Sequence, residues 1–247
     1  MILFFKEALN DWILISAIYN AIHIERKNNA NFNNVAIIDT GQIRTMNGNN
    51  PIVGVNENVI IIAHGNEWGD ITEDVDVDAD KDKKMNMELF YSLLISILPV
   101  GYGGTIEFRS CYAGRNSSEL RNKYYVYESL VKRTYDLLHS DFRNVKVKGV
   151  KGPYVNYLDN NDYLHEICVN PQKFDEAEAI QEMIFYNRFA KTTIHPNNLQ
   201  DLIHSSEQVA NSTRNFFIQF EENLRNRKVL LTANIFNYWS EKVEGAE

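Results

Sequence analysis

Val59-Ile60-Ile61-Ile62-Ala63-His64-Gly65 and Thr105-Ile106-Glu107-Phe108-Arg109-Ser110-Cys111 are the two stretches that decide the fold. Each is a short run rich in apolar and β-branched residues, as in a buried strand, and each stops at a chemically active side chain. Between them Met87, Phe90, Leu94, Ile97 and Leu98 recur at helical spacing until Pro99 ends the pattern. Gly101, Gly103 and Gly104 then make the turn into the second run. Strand, helix, strand in that order implies a right-handed crossover between parallel strands. Both runs then end at one edge of the sheet, the edge where open α/β folds place their chemistry. That places His64 and Cys111 side by side.

The pattern extends in both directions. Residues 6–26 are predicted helical, with Trp12, Ile15, Ile18, Tyr19, Ile22 and Ile24 roughly on one side. The polar segment 27–34 breaks it, residues 35–39 make a short strand ended by Thr40-Gly41, and residues 47–51 form a turn cluster. Residues 66–84 are an acidic loop. After Cys111, Asn116-Ser117-Ser118-Glu119 has capping-box character and predicts a helix with Leu120, Tyr124, Tyr127, Val131 and Leu138 inward. Val145, Val147 and Gly149 alternate with Lys146 and Lys148, a strand running into Gly152-Pro153. Beyond about residue 172 the pattern is helical, over 174–190 and 205–225, with an apolar stretch from Val229 to Trp239. The fold class expected is α/β, a mostly parallel sheet flanked by helices over residues 1–170, followed by a helical region over 171–247.

Composition excludes several roles. The chain of 247 residues is 44% hydrophobic, which suits one sizeable domain or one domain with an appended part. Its net charge of -8 argues against a surface built to coat nucleic acid or anionic membrane, so no nucleic-acid partner is expected. No apolar run is long enough to span a bilayer. Met1–Phe5 is too short for a signal peptide and is interrupted by Lys6, Glu7 and Asp11. Two cysteines, Cys111 and Cys168, do not make a disulfide scaffold. The expected setting is the cytoplasm, or export without a cleaved signal.

A cysteine attacks an acyl carbon as the thiolate, so it needs exposure and a base or field that lowers its pKa. Arg109 lies two residues before Cys111 on the same strand face, and a helix N-terminus is expected soon after it. His64 can shuttle the proton that the leaving amide needs. The N–H groups of Gly65 and Cys111 are candidates for an oxyanion hole, and Gly65 has no side chain to keep substrate away. Asp39, closing the preceding strand, is the candidate acid that orients His64. An isolated cysteine is most often a small buried hydrophobe, and an isolated histidine a satisfied polar residue. What carries weight is the ordered pair at two strand ends.

That arrangement, strand-His-Gly followed by strand-Ser-Cys-x-x-Gly, resembles the caspase-like cysteine peptidases of clan CD. The 47-residue spacing (111 − 64) is most similar to the autoprocessing protease domains of large bacterial toxins. Residues 147–153, a strand and turn after the helix that follows Cys111, add to the likeness, which covers about residues 35–158. The resemblance implies a caspase-like fold, a hydrolysing Cys111, a proton-shuttling His64, oxyanion donors at Gly65 and Cys111, and a protein or peptide substrate. It also implies that the two side chains need not touch without substrate. Toxin domains of this type are activated by inositol hexakisphosphate at a basic surface, and the basic stretch from Arg109 to Lys151 makes an inositol polyphosphate the candidate activator.

Asp70, Asp74, Asp76, Asp78, Asp80 and Asp82 form an acidic run after His64. Its Asp-x-Asp-x-Asp spacing suggests a calcium loop, but Ala79 stands where glycine is needed and Met85 where the bidentate glutamate would be. No metal is expected. Asp70, Asp74, Lys151 and Gly152 are candidate substrate-binding residues. His139, His165, His195 and His204 lack zinc-ligand spacing, and Gly101–Gly104 lacks the Lys-Ser/Thr of a P-loop. Two other readings stand beside a cysteine endopeptidase: a caspase-like binding module with an idle dyad, and a thiol acyltransferase using the same pair.

Overall fold

A computed structural model describes residues 1–65, 71–72, 86–116, 128–168 and 192–228. Its core is a six-stranded sheet in the order β3-β2-β1-β4-β7-β8, where β1 is Ile2–Phe5, β2 Val35–Asp39, β3 Gln42–Thr45, β4 Val59–Ile62, β7 Thr105–Arg109 and β8 Lys146–Gly149. All neighbours are parallel except the β2–β3 hairpin, whose turn residues Thr40 and Gly41 both have positive φ. Two small antiparallel pairs complete the strands: β5 (His64–Gly65) with β6 (Ile71–Thr72), and β9 (Tyr154–Leu158) with β10 (Leu164–Cys168). The helices are α1 (Trp12–Asn28), α2 (Met87–Ile97), α3 (Leu130–Leu138) and α4 (Leu199–Asn226). The expected α/β class, with a mostly parallel sheet flanked by helices, is what the chain adopts.

Several boundaries differ from the sequence expectations. Ile2-Leu3-Phe4-Phe5 is a central strand of the sheet, and a short 3-10 segment, Lys6–Asn10, separates it from α1. A strand buried on both faces shows no alternation, so a four-residue apolar run gives periodicity nothing to detect. Among the described residues, the helix that carries Val131 and Leu138 begins at Leu130, capped by Ser129, whose hydroxyl accepts from Lys132 N–H at 3.1 Å. Of the expected capping box only Asn116 is described, and residues 117–127 lie outside the described residues. Asn116 accepts from Ser129 N–H at 3.0 Å. The helix expected at 174–190 and the stretch from Val229 to Trp239 lie outside the described residues, as do Tyr124 and Tyr127. The one expected at 205–225 is α4, longer at its N-terminal end.

The chain runs from β1 through α1 to β2 on one side, then to β4, β7 and β8 on the other. The direction of winding therefore reverses between β1 and β4, and crevices at such switch points are where open α/β sheets bind ligands.

Alternation sorts the two faces. Leu3, Phe5, Ala36, Ile38, Val59, Ile61, Ile106, Phe108 and Val147 pack with Phe90, Leu93 and Leu94 of α2 and Leu130, Val131, Tyr135 and Leu138 of α3. The opposite face puts Ile2, Phe4, Val35, Ile60 and Ile62 against Leu14, Ile15, Ile18, Ala21 and Ile22 of α1, with Leu202 of α4 joining them. Helix α4 packs along α1, where Ser16 and Thr213 share a buried 2.8 Å hydrogen bond. Trp12 of α1, Val155, Tyr157 and Ile167 of the β9–β10 hairpin, and Phe217, Phe220 and Leu224 of α4 close a third apolar cluster.

On β7 and β8 that second face is polar. Glu107 and Lys148 are register partners, and their side chains meet at 2.7 Å, while Arg109 Nε donates to Glu107 at 2.8 Å. Burial alone would raise the Glu107 pKa, but Arg109 and Lys148 outweigh it and hold the carboxyl below its ordinary value of 4.5. A depressed carboxyl pKa stabilises the fold fully above the ordinary value and loses that effect as pH falls through the lowered one. Glu107→Gln should thus be destabilised at neutral pH by about 3 kcal/mol, since it removes the carboxylate that meets the buried Arg109 guanidinium and Lys148. Chemical denaturation should show this gap to wild type narrowing as pH falls below the ordinary carboxyl value of 4.5 and Glu107 protonates. A gap that stays constant would show that the charge of Glu107 is not what matters.

Candidate active site

Val59 faces Ile106 and Ile62 faces Arg109 across the parallel β4–β7 pair. His64 and Cys111 each stand two residues beyond that last pair, so they sit at one level at the same edge of the sheet. They also share a face. Ile60 and Ile62 point to the α1 side, as do Glu107 and Arg109, and His64 and Cys111 continue those two alternations.

The side-chain contacts agree with this placement. His64 Nε2 lies 3.2 Å from Asp11 Oδ2, in a pair where the Asp11 side chain is fully buried and His64 is 14% exposed. Asp11 is the N-cap of α1, and its other oxygen, Oδ1, accepts from Leu14 N–H at 3.0 Å. One carboxylate thus closes the helix and fixes the ring, and the helix N-terminus favours its negative charge. With Nε2 turned to Asp11, Nδ1 is the ring nitrogen left for proton transfer.

Cys111 is half-buried, and its Sγ accepts from Tyr154 N–H at 3.4 Å and lies 3.7 Å from Tyr154 O. Tyr112, the next residue, has φ +61, an uncommon left-handed conformation for a non-glycine residue. Its N–H donates to Gly152 O at 3.1 Å and Gly114 N–H to Val150 O at 2.7 Å, which lays segment 150–154 along the loop after Cys111. Tyr112 thus carries backbone strain beside the candidate nucleophile, held in place by these flanking hydrogen bonds. Arg115 lies over the Tyr112 ring, 5.1 Å from its centroid.

Gly65 is needed for a reason that differs from the sequence expectation. A Cβ there would stand 1.9 Å from Cys111 O and 2.9 Å from Cys111 C. The missing side chain admits the main chain of Cys111 itself, and the two candidate oxyanion residues are therefore in direct backbone contact.

Other predicted residues fall differently. Asp39 does not orient His64: its carboxylate takes Lys6 at 3.0 Å in an exposed surface pair. The sheet order explains this, because β1 stands between β2 and β4, and Asp11, which follows β1, is the nearer acid. Sequence reasoning missed Asp11, although an Asp directly before Trp12-Ile13-Leu14-Ile15 carries an N-cap signal. Gly152 and Lys151 do lie on the loop beside Cys111. Asp70 and Asp74 lie outside the described residues, as does most of the acidic loop. Strand β6, within the segment expected to be loop, pairs with His64 and Gly65. His165 pairs with Asp159 at 3.0 Å. Among the described residues no cluster of three or more His, Cys, Asp or Glu is arranged to hold a metal ion, and no helix is long and apolar enough to cross a membrane.

No protein-family model matches the chain, and no curated protein matches it.

The Gly65 contact yields a direct test. Gly65→Ala must displace main chain rather than a flexible side-chain end, so thermal unfolding should show a loss of about 3 kcal/mol or more. Gly54→Ala, whose added Cβ meets only Glu57 side-chain atoms at 3.4 Å and beyond, should lose far less. Equal losses would remove the special status of the Gly65–Cys111 approach.

Proposed function

We propose that this chain is a cysteine peptidase in which Cys111 is the nucleophile, His64 the proton shuttle and Asp11 the acid that orients it. The observation that carries the reading is the placement of a His64 ring, anchored by a fully buried carboxylate, at the level and on the sheet face of Cys111. The resemblance of strand-His-Gly and strand-Ser-Cys-x-x-Gly to caspase-like peptidases points the same way.

In this mechanism His64 Nδ1 takes the thiol proton, and the thiolate sulfur bonds to the carbonyl carbon of the scissile peptide. The carbonyl oxygen becomes an oxyanion facing the N–H groups of Gly65 and Cys111. As the tetrahedral species collapses, the C–N bond breaks and the amine departs with the proton from His64. A water molecule, deprotonated by His64, then attacks the thioester, releases the acid product and returns the proton to Cys111. Asp11 stabilises the imidazolium formed at both stages and keeps the Nε2–H tautomer in place. The polyphosphate activator implied by the resemblance belongs to this reading as an addition to the assay.

A peptide library incubated with the protein, with and without inositol hexakisphosphate, should be cleaved by wild type and by neither Cys111→Ala nor His64→Ala. Robust cleavage by Cys111→Ala would falsify the mechanism. Transfer of the acyl group to an added amine in preference to water would point to an acyltransferase instead.

Asp11→Asn separates the two tasks of that residue. Asn is as good an N-cap as Asp, so stability should fall by about 1 kcal/mol or less. Turnover should fall about a hundredfold, the scale of a misdirected general base. Full turnover in Asp11→Asn would remove Asp11 from the catalytic assignment.

A further inference from the structure

Helix α1 holds His64 through Asp11 at its N-cap, and the same helix reaches the thiol by a second route. Asn20, 1% exposed, donates from Nδ2 to Asn156 O at 3.2 Å and to Asn156 Oδ1 at 3.1 Å. Asn156, also buried, donates from its own Nδ2 to the Tyr154 hydroxyl at 3.2 Å. That hydroxyl donates to Glu166 Oε1 on β10 at 2.8 Å. The main chain of Tyr154 is what holds Cys111 Sγ. An asparagine in the middle of a helix facing an apolar layer costs stability unless its hydrogen bonds are met, and here both are directed at one residue of β9.

We propose that Asn20, Asn156 and Tyr154 form a positioning relay that ties the thiol of Cys111 to helix α1, so that one rigid element sets the base and the nucleophile together. The proposal rests on the reading of Cys111 as the nucleophile. It makes the β9–β10 hairpin a working part of the site, with the Tyr154 amide as the fixed donor to sulfur. A neutral thiol gains little from such a donor, whereas a thiolate gains a charge-assisted hydrogen bond. The Tyr154 carbonyl, to which the neutral thiol donates, is the more distant contact at 3.7 Å against 3.4 Å for the amide, so fixing Tyr154 from its side-chain end favours the reactive form. Each relay member is a positioning residue, since none is assigned to touch the reacting atoms through its side chain.

The experiment is the pH dependence of Cys111 alkylation by iodoacetamide, followed by mass spectrometry at the Cys111 peptide. Among the described residues, the charged and titratable groups around the thiol are His64 and Asp11 beside β4, Glu107 and Arg109 on β7, Tyr112 and Arg115 on the loop after Cys111, Lys148 on β8, Lys151 on the loop after it, Tyr154 on β9 and Glu166 on β10. Asn20→Ala removes none of these groups, and Tyr154→Phe removes only the hydroxyl that meets Asn156 and Glu166. Tyr154→Phe keeps the ring and so keeps the packing. Wild type should show a midpoint below the ordinary thiol value of about 8.5. In both variants the midpoint should rise by about half a unit, making alkylation about threefold slower at low pH, with the plateau at high pH unchanged. Should Asn20→Ala not fold, Tyr154→Phe alone carries the test. A lowered midpoint in wild type that both variants retain overturns the relay and leaves the nucleophile reading intact. An ordinary thiol midpoint in wild type overturns both.

Discussion

The register between β4 and β7 places every other part of the candidate site. Val59 with Ile106 through Ile62 with Arg109 are the paired positions, and they determine what stands level with His64 beyond the last of them. A slip of one residue would bring Ser110 or Tyr112 to that level and turn the side chains of β7 to the opposite face. The polar pair on β7 opposes such a slip. Ile106 and Phe108 belong to the apolar layer under α2 and α3, while Glu107 and Arg109 point the other way. Shifting the strand by one would drive a carboxylate and a guanidinium into that apolar layer and part Glu107 from Lys148. The ion network thus does more for register than for net stability, since buried ion pairs often contribute little beyond their desolvation cost.

Helix α1 supplies what the sheet alone does not. Asp11 is removed from water, which is tolerable because its two oxygens meet Leu14 N–H and the His64 ring and because it sits at a helix N-terminus. The connection is local on one side and distant on the other, three residues to Leu14 and 53 to His64. An apolar stripe on α1 fixes the helix to Ile2, Phe4, Ile60 and Ile62, so the carboxylate inherits its position from core packing. Trp12, next to it, stacks near Phe217 of α4 with ring centroids 6.0 Å apart. The C-terminal helix therefore presses on the same turn that holds the histidine.

Much of this was legible in the sequence, and the remainder was hidden for identifiable reasons. Strands β4, β7 and β8, and helix α2, announce themselves because apolar runs and helical spacing are bounded by Gly and Pro. Strand β1 does not, since a fully buried parallel strand has neither alternation nor turn signals on its N-terminal side. Without β1 in the centre of the sheet, Asp39 looks like the acid nearest His64, and Asp11 looks like a break in an apolar stretch. The β9–β10 hairpin was hidden by its polar interior. Asn156 and Glu166 face inward where an apolar residue would mark a core strand, so Tyr154–Leu158 does not read as one.

That polar interior separates the two halves of the molecule by function. The layer under α2 and α3 is mostly apolar, with Phe90, Leu94, Leu130 and Leu138 fully buried. It can be close-packed without regard to chemistry and serves as the rigid base. Across the sheet, Glu107, Arg109, Asn20, Asn156, Tyr154 and Asp11 are enclosed where electrostatic interactions are stronger than in water. Burial raises the Tyr154 phenol pKa well above its ordinary value, so it stays neutral, and Arg109 beside it stays charged because the Glu107 and Glu166 carboxylates offset its own burial. A neutral phenol and a permanently charged guanidinium keep their hydrogen-bonding roles at any pH where the fold persists. The histidine stands at the rim of that enclosure, and the thiol stands at the same rim. A fold that needed only stability would have filled this side with leucine; spending six polar residues on it makes sense where the geometry of two side chains at the sheet edge has to be held.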